Sequence, residues 1–361
     1  MRFSAIQAFN FRNLSCCDVN VCAHDIFLVG ENGQGKSSFL EAVYFCSYAS
    51  SFRGALDREL VLTGEKECSV NAYIENSLYE KIQIIVANEK KTIVIDGKNS
   101  DRKSLLSAAP SIVFCYEDMR FINGTPEQRR WFFDQNLCIY DINYLEDMRR
   151  YKKILKTRNT ILKELKENIS NNIKLLDAID PQFIECGLEI TRKRAKEAEV
   201  FSMILNPLYE EVSGIKNIRV EYRPSWKTEN AVEVLEDLEK KRTRDIMIGL
   251  SLSGPHRDSY CFTKDEDDFS KKASTGQRRL LALLIRAAQA RRYNEKCGNK
   301  PILLLDDVLL ELDGEKRVKF LSILPEYEQA FYTFLPEEQY GRYIKNDTLV
   351  YAIDNGRFME K

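Results

Sequence analysis

Val29-Gly30-Glu31-Asn32-Gly33-Gln34-Gly35-Lys36-Ser37-Ser38 carries the pattern G-x-x-x-x-G-K-S, with Gly30, Gly35, Lys36 and Ser37 in its four fixed places. The run at 25–29, DIFLV, suits a short buried strand, and the run at 39–45, FLEAVYF, suits a helix. Strand, loop and helix in that order separate a phosphate-binding loop from a chance glycine cluster. The glycines let the backbone curl until its N–H groups point inward at an anion, and the following helix adds its positive N-terminus. Lys36 is then expected to reach the β- and γ-phosphates, and the Ser37 hydroxyl to sit on Mg²⁺. The pattern predicts a nucleoside triphosphate site over Gly30 to Ser38.

The rest of the composition narrows what surrounds that loop. A chain of 361 residues, 44% apolar and 30% charged, is ordinary for a globular protein of one large domain or two smaller ones. Formal net charge is −1, so any binding to a polyanion must come from local patches. Ten cysteines are scattered without a C-x-x-C pair, which argues against a zinc module and a disulfide framework. The N-terminus lacks the apolar core of a signal peptide, and no apolar run is long enough to span a bilayer. The expectation is a soluble protein of the reducing cytoplasm, with no membrane contact.

Outward from the loop, residues 3–9 and 18–29 read as strands. CSVNAYI, YEKIQIIVAN and KTIVIDG, between Cys68 and Lys98, read as an antiparallel layer with a turn at Asp96-Gly97. SIVFC at 111–115 is a short buried strand. From about Thr125 to Leu208 the text becomes helical and charged, with Met148, Leu155, Leu162, Ile169 and Leu176 at seven-residue spacing. Asp180-Pro181 reads as a cap followed by proline at the first helical position. Two helices of about 40 Å each, joined by a tight turn, would form an antiparallel arm. Arg149, Arg150, Lys152, Lys153, Lys156, Arg158 and Lys163 lie between 149 and 163 with no acid among them. That run is either a solvated face or an edge that contacts DNA phosphates, with Arg149, Arg150, Lys152, Lys153 and Lys156 its candidates.

The far end of the chain holds two more phosphate-seeking elements. Pro301-Ile-Leu-Leu-Leu-Asp306-Asp307 reads as a buried parallel strand that delivers two carboxylates at its C-terminal end. Asp306 is the expected partner of Mg²⁺ beside Ser37, and Asp307 is placed to orient or deprotonate the attacking water. Ser274-Thr-Gly276-Gln277 precedes an apolar helix, with Ser274 as its cap and the helix N-terminus as a second anion site. One nucleotide needs only one of each, so the economical arrangement is two chains facing each other. Each would hold its triphosphate between its own loop and the partner's signature.

These motifs resemble an ABC-type ATPase: S-T-G-Q matches the signature S-x-G-Q and lies ahead of the Walker B strand. FNFRNL at 9–14, NGQGKSSFLEAVYF at 32–45, SFR at 51–53 and INGTPEQRRWFFD at 122–134 point further. With LSGPHRDSY at 252–260 and LLLDDVLLELD at 303–313, they resemble the RecF family of recombination mediators, related to the heads of structural-maintenance-of-chromosomes proteins. The resemblance implies an α/β ABC-type ATPase head (a P-loop NTPase) with an antiparallel β layer and an inserted helical second lobe. It divides the chain into 1–124 (head, Walker A), 125–245 (helical lobe) and 246–361 (head, signature and Walker B). It also implies an ATP-dependent homodimer, weak ATP hydrolysis with Mg²⁺, and DNA binding at gaps and duplex–single-strand junctions. Work with RecR and RecO in loading RecA, in DNA repair, replication and recombination, follows from it. By position, Lys36 and Asp307 are the catalytic residues, Asp306 and Ser37 the metal pair, and Asp313 the D-loop acid.

The chain departs from the family's pattern in two places. Leu310 stands where a small polar residue is usual before E-L-D, and YTFLP at 332–336 replaces a threonine-rich run, which leaves Thr333 as the candidate γ-phosphate sensor. A Walker B ending in Asp-Asp fits slow hydrolysis. His256 in the S-G-P-H-R-D turn, with Arg257, is either a satisfied turn residue or a polar group that senses the dimer. Arg12 and Arg53 either flank the nucleotide's base and ribose or pair with surface acids. The rival readings are a transporter ATPase subunit, another SMC-like head, a small-molecule phosphotransferase, and an architectural DNA-binding protein with a structural nucleotide. The transporter would need no arm, and the phosphotransferase would leave the signature without purpose.

Overall fold

Apolar residues alternate with polar ones along the first twenty positions, and they form β1 (Arg2–Phe11) and β2 (Leu14–Asn20), an antiparallel hairpin with Phe9 opposite Cys16. This computed structural model describes residues 1–169 and 172–361, with Ser107, Leu310 and Glu311 described by their backbone alone. Next come β3 (Asp25–Val29), every residue of which is buried, and α1 (Lys36–Tyr48). The strands β4 (Glu67–Glu75), β5 (Lys81–Ala87), β6 (Lys90–Ile95) and β7 (Lys98–Asn99) continue the antiparallel layer in the order β2-β1-β4-β5-β6-β7. Burial alternates residue by residue along β4 and β5, as a sheet with one covered face requires. A short helix, α2 (Arg102–Ala108), capped by Asp101, leads into β8 (Ser111–Phe114).

The chain divides into two compact units, Met1–Asp118 with Leu283–Lys361, and Met119–Ala282. The second unit begins with α3 (Met119–Asn123) and α4 (Pro126–Tyr140), whose start is a reciprocal Thr125–Gln128 capping box with proline at its first position. Then follow α5 (Ile142–Lys166), α6 (Lys174–Ser213), β9 (Ile218–Arg223), α7 (Ala231–Ile248), β10 (Ser259–Lys264), β11 (Asp267–Asp268) and α8 (Phe269–Lys272). The expected boundary at 245 falls short, because β9 pairs with β10 along its whole length and holds 246–282 to the helical unit.

The arm also departs from the expected two matched helices. α6 has 40 residues, about 60 Å, and starts seven residues before Pro181. Asp180 is therefore no cap. It is fully buried and accepts from Arg158 Nε at 2.8 Å. The heptad seam holds at Leu162 and Leu176 but not at Ile169, which lies past the end of α5 and is 71% exposed. α7 packs on both long helices, and Tyr151, Ile154, Phe183, Leu188, Val234 and Leu238 share one core. The edge of β9 is closed by α6: Ser202 Oγ accepts from Val220 N at 2.8 Å, and Asn206 Oδ1 accepts from Ile218 N at 3.0 Å.

α9 (Thr275–Cys297) leads back into the first unit, where β12 (Ile302–Leu305), α10 (Gly314–Ile323), β13 (Gln329–Phe334), β14 (Thr348–Asp354) and β15 (Arg357–Glu360) follow. The second sheet runs β15-β14-β3-β13-β12-β8, parallel except for β15. β3, β12 and β13 are buried at every position, because both faces of the sheet are covered there. Phe3 and Ile6, Leu40 and Val43, Val70 and Ile84, and Ile26 and Phe331 belong to one core that joins the antiparallel layer, α1 and the parallel sheet.

Arg158 is the interior anchor of the second unit. Fully buried, it also bonds Asp245 at 2.8 Å and Ser251 Oγ at 2.7 Å, and its guanidinium lies over the Phe183 ring. Arg158→Met would strand the Asp180 and Asp245 carboxylates inside and is expected to cost about 3–5 kcal/mol. Lys153→Ala, on the exposed side of the same helix, should stay within about 0.5 kcal/mol of the parent. Urea unfolding of the two variants measures the difference.

Candidate functional site

The loop between β3 and α1 has the backbone its glycines allow. Gly35 has φ 113°, and a Cβ on Gly30 would stand 2.5 Å from the Ile353 carbonyl oxygen. The loop is braced from both ends of the chain. Asn13 Nδ2 donates to Gly33 O at 3.0 Å, Gly356 N to Gln34 O at 2.9 Å, and Gly30 N to Phe334 O at 3.1 Å. Gln34 uses its side chain to accept from Asn355 N at 2.6 Å, so it shapes the loop. Lys36 is 3% exposed and its ammonium donates to Gly30 O and Glu31 O, inside the loop's curve. A cavity of about 290 Å³ lies against Glu31, Asn32, Gly33, Lys36, Ser37 and Arg53.

β12 ends beside this loop. Ser37 Oγ donates to Asp306 Oδ1 at 2.7 Å, and Arg53 lies 3.5 Å from the other carboxylate oxygen. Burial pushes the Asp306 carboxyl up to about 6; the bond from Ser37 opposes that shift, the neighbouring Asp307 charge adds to it, and Arg53 opposes it. A carboxylate that is costly to ionise where it stands, next to a hydroxyl, suits a divalent cation. Ser37 would offer Mg²⁺ a hard oxygen, with Asp306 behind it in the outer shell or through water and the remaining positions open to phosphate and water. Asp307 is left-handed at φ 53° and lines the same cavity. Thr333, the candidate γ-phosphate sensor, uses its hydroxyl on Asp307. It accepts from Asp307 N at 2.7 Å and donates to Asp307 Oδ1 at 2.8 Å.

Glu41 escaped the sequence reading. It is fully buried in α1, accepts two bonds from Arg12 at 2.8 and 2.9 Å, and bonds Ser51 Oγ, which accepts from Arg53 N at 3.0 Å. Arg12 is thereby committed to an ion pair, with a buried acid instead of a surface one, whereas Arg53 faces the phosphate cavity. The signal was an acid inside the otherwise apolar run at 39–46.

Ser274 and Gln277 cap α9 reciprocally: Gln277 Oε1 accepts from Ser274 N at 2.8 Å and Ser274 Oγ from Gln277 N at 3.3 Å. Ser274 and Gly276 are exposed, and no atom lies within 4 Å of where a Cβ on Gly276 would stand. Tyr209, fully buried near the end of α6, donates to Gln277 O at 2.9 Å, a contact with no sequence signal. Asp313 is exposed and caps α10 by accepting from Lys316 N at 2.9 Å. The side chain of Leu310 lies outside the described residues.

In the second unit, Arg149, Arg150, Lys152, Lys153 and Lys156 are all exposed on α5, and the spacing 149, 152, 153, 156 makes one stripe. Arg150 is near an acid, Glu185 at 3.8 Å. His256 is satisfied on both nitrogens. The Ser251 carbonyl can only accept, so Nε2 carries the hydrogen at 3.0 Å and Nδ1 accepts from Tyr151 OH at 2.8 Å. Burial lowers its pKa to about 4, helped by the charges of Arg257, Arg130 and Arg158 and opposed by the Ser251 bond. Asp258, at the end of the same turn, accepts from buried Arg194 at 2.9 Å. The turn is thus a structural knot, as the plainer of the two readings had it. Among the described residues no helix is long and apolar enough to cross a membrane.

A phosphate loop on a mainly parallel sheet, a carboxylate strand two places away, a capped signature helix and an antiparallel layer define an ABC-type ATPase head of the SMC kind. The model of the RecF/RecN/SMC N terminal domain family matches residues 2–354, and the chain belongs to that family and to its RecF branch. It is 40% identical over 354 residues to the DNA replication and repair protein RecF of Treponema pallidum (strain Nichols), covering 97% of this chain and 99% of that one. To RecF of Staphylococcus carnosus (strain TM300) it is 31% identical over 376 residues and the full length of both. It is similar to a solved structure of the recombination mediator protein RecF-ATP in the RecFOR pathway, with TM-score 0.90, 28% identity, 99% of this chain and 97% of that one. The Smc head domain of Pyrococcus furiosus shares the fold at TM-score 0.55 and 14% identity, over 99% of this chain and 95% of that one.

The neutral His256 makes the second unit acid-sensitive. Its folded pKa, about 4, lies below the ordinary 6.5, so its contribution is fully present above pH 6.5 and is lost as pH falls towards 4. Between pH 7 and 5 the loss should be about 2 kcal/mol. Calorimetry of wild type and His256→Gln across that range is expected to show a flatter profile in the variant. Parallel profiles would place the acid sensitivity elsewhere.

Proposed function

We propose that this chain is an ATP-switched DNA-binding head that acts as a recombination mediator with RecR and RecO and helps load RecA. The observation that carries the reading is Gly276. Its own chain does not need a glycine there, since a Cβ would meet nothing, yet it sits at an exposed helix N-terminus in the S-T-G-Q signature. A second chain bringing its triphosphate against that backbone would need the space. ATP then joins two chains, each completing the other's site, with the Asp313 turn at the contact.

The chemistry follows from the residues of one chain. The backbone of Gly30 to Ser38 and Lys36 hold the β- and γ-phosphates; Ser37 and Asp306 would hold Mg²⁺, which would supply charge neutralisation at the transferred phosphoryl group. Asp307 orients a water at the γ-phosphorus and takes its proton as the new P–O bond forms and the bond to the β–γ bridging oxygen breaks, leaving ADP. An aspartate reaches less far than a glutamate, which supports slow turnover, a switch more than a motor.

The stripe Arg149, Arg150, Lys152, Lys153 and Lys156 supports contact with DNA phosphates, which would be independent of sequence and steeply salt-dependent. The RecF names of the relatives, and the RecFOR pathway named for one solved structure, support the partners RecR and RecO. Work at gaps and duplex–single-strand junctions belongs to the same proposal.

Light scattering of wild type, Ser274→Arg and Gly276→Val with and without Mg-ATP tests the reading. ATP is expected to double the mass of wild type and of neither variant, while all three bind the nucleotide; Gly276→Val melts like wild type, and Ser274→Arg, which loses the cap of α9, melts somewhat lower. If all bind ATP and none dimerises, the composite site is wrong.

A further inference from the structure

Thr333 occupies the penultimate position of β13, 3% exposed, one residue before Phe334, whose carbonyl receives the Gly30 N–H. A hydroxyl has one proton to give and two lone pairs. The Thr333 proton has two acceptors in range, Asp307 Oδ1 at 2.8 Å and Leu305 O at 3.5 Å, and the shorter contact takes it. A lone pair takes the Asp307 N–H at 2.7 Å. The hydroxyl is therefore spent on Asp307, and donating to a phosphate would mean letting that carboxylate go.

Asp307 needs such a hold. It is in the left-handed region at φ 53°, ψ 12°, where a non-glycine residue stays only if its surroundings determine it. One threonine fixes both its main chain and one carboxylate oxygen, and among the described residues Oδ2 has no bond. The same strand end braces the phosphate loop through Phe334 O, so β13 sets loop and carboxylate in one frame.

We propose that Thr333 is a positioning residue for hydrolysis: its hydroxyl clamps Asp307 Oδ1 and N–H so that Oδ2 faces the water that attacks the γ-phosphate. This rests on the reading of Asp307 as the group that takes the water's proton. It replaces the role of γ-phosphate sensor for this threonine, and it gives the hydroxyl a function that the ring of Phe334, next along, has no donor to supply.

Thr333→Val keeps the branched shape and removes the hydroxyl, whereas Thr333→Ser keeps the hydroxyl. Both are compared with wild type and Asp307→Asn in ATP affinity, melting temperature and steady-state turnover. Thr333→Val is expected to lose about 10- to 100-fold in kcat with KM and ATP affinity unchanged, as a displaced catalytic group does, and Thr333→Ser to stay within about threefold. Turnover of Thr333→Val at the wild-type rate, or a fall in ATP affinity in step with kcat, overturns the proposal. If Thr333→Val does not fold, Thr333→Ala against Thr333→Ser carries the same comparison. Asp307→Asn separates the two levels: if it hydrolyses ATP like wild type, the reading of Asp307 itself fails. An inactive Asp307→Asn beside an active Thr333→Val sinks only the role of Thr333.

Discussion

β3 is held on both sides by strands from the far end of the chain, β13 and β14, with Val29 opposite Phe334 and Ala352. The phosphate loop grows from that strand, so its geometry is set by residues beyond 329. Parallel pairing over such separations is entropically expensive to close and must be repaid by burial. The strands supply it: β3, β12 and β13 are buried at every position. The hydrogen bond from Ser37 to Asp306 is a consequence of that closure, since only a completed sheet brings the two residues within reach.

Charge is managed differently at the cavity of the first unit and in the interior of the second. In the first, acids and cations near the cavity stand ready for a ligand: Asp306 is pushed towards its neutral form, and Arg53 lies against it. In the second, arginines are structural. Arg158 binds Asp180 and Asp245, and Arg194 binds Asp134 and Asp258, all of them buried except the partly exposed Asp134. Such networks specify one arrangement of helices, because any slip leaves a buried charge unpaired. The exposed basic stripe on α5 lies on the same helix as buried Arg158, with Lys156 only two residues away but facing solvent.

Local signals were legible. β-rich runs marked β4 to β6, apolar runs marked β3 and β12, and Ser274 ahead of an apolar helix marked a helix cap. Signals that depend on a partner elsewhere were not. Asp180-Pro181 reads as a helix start, but the carboxylate is taken by Arg158 and the helix runs through it. The seven-residue spacing passes through Ile169, although α5 has ended by then and a third helix takes part in the packing. Glu41 looked like any helix acid until Arg12 and Ser51 closed on it.

The sequence alone determined the phosphate loop, the two carboxylates after an apolar strand, the signature cap and the run of basic residues, because each is written in consecutive residues whose chemistry is local. Only the tertiary structure decided which of these meet. It placed Ser37 on Asp306, gave the Thr333 hydroxyl to Asp307, buried Arg158 and partnered both nitrogens of His256 in the second unit, and left Gly276 with open space around it. The reason is physical: spacing along a chain fixes which face a residue occupies, whereas hydrogen bonds across hundreds of residues depend on how sheets and helices close around a common core.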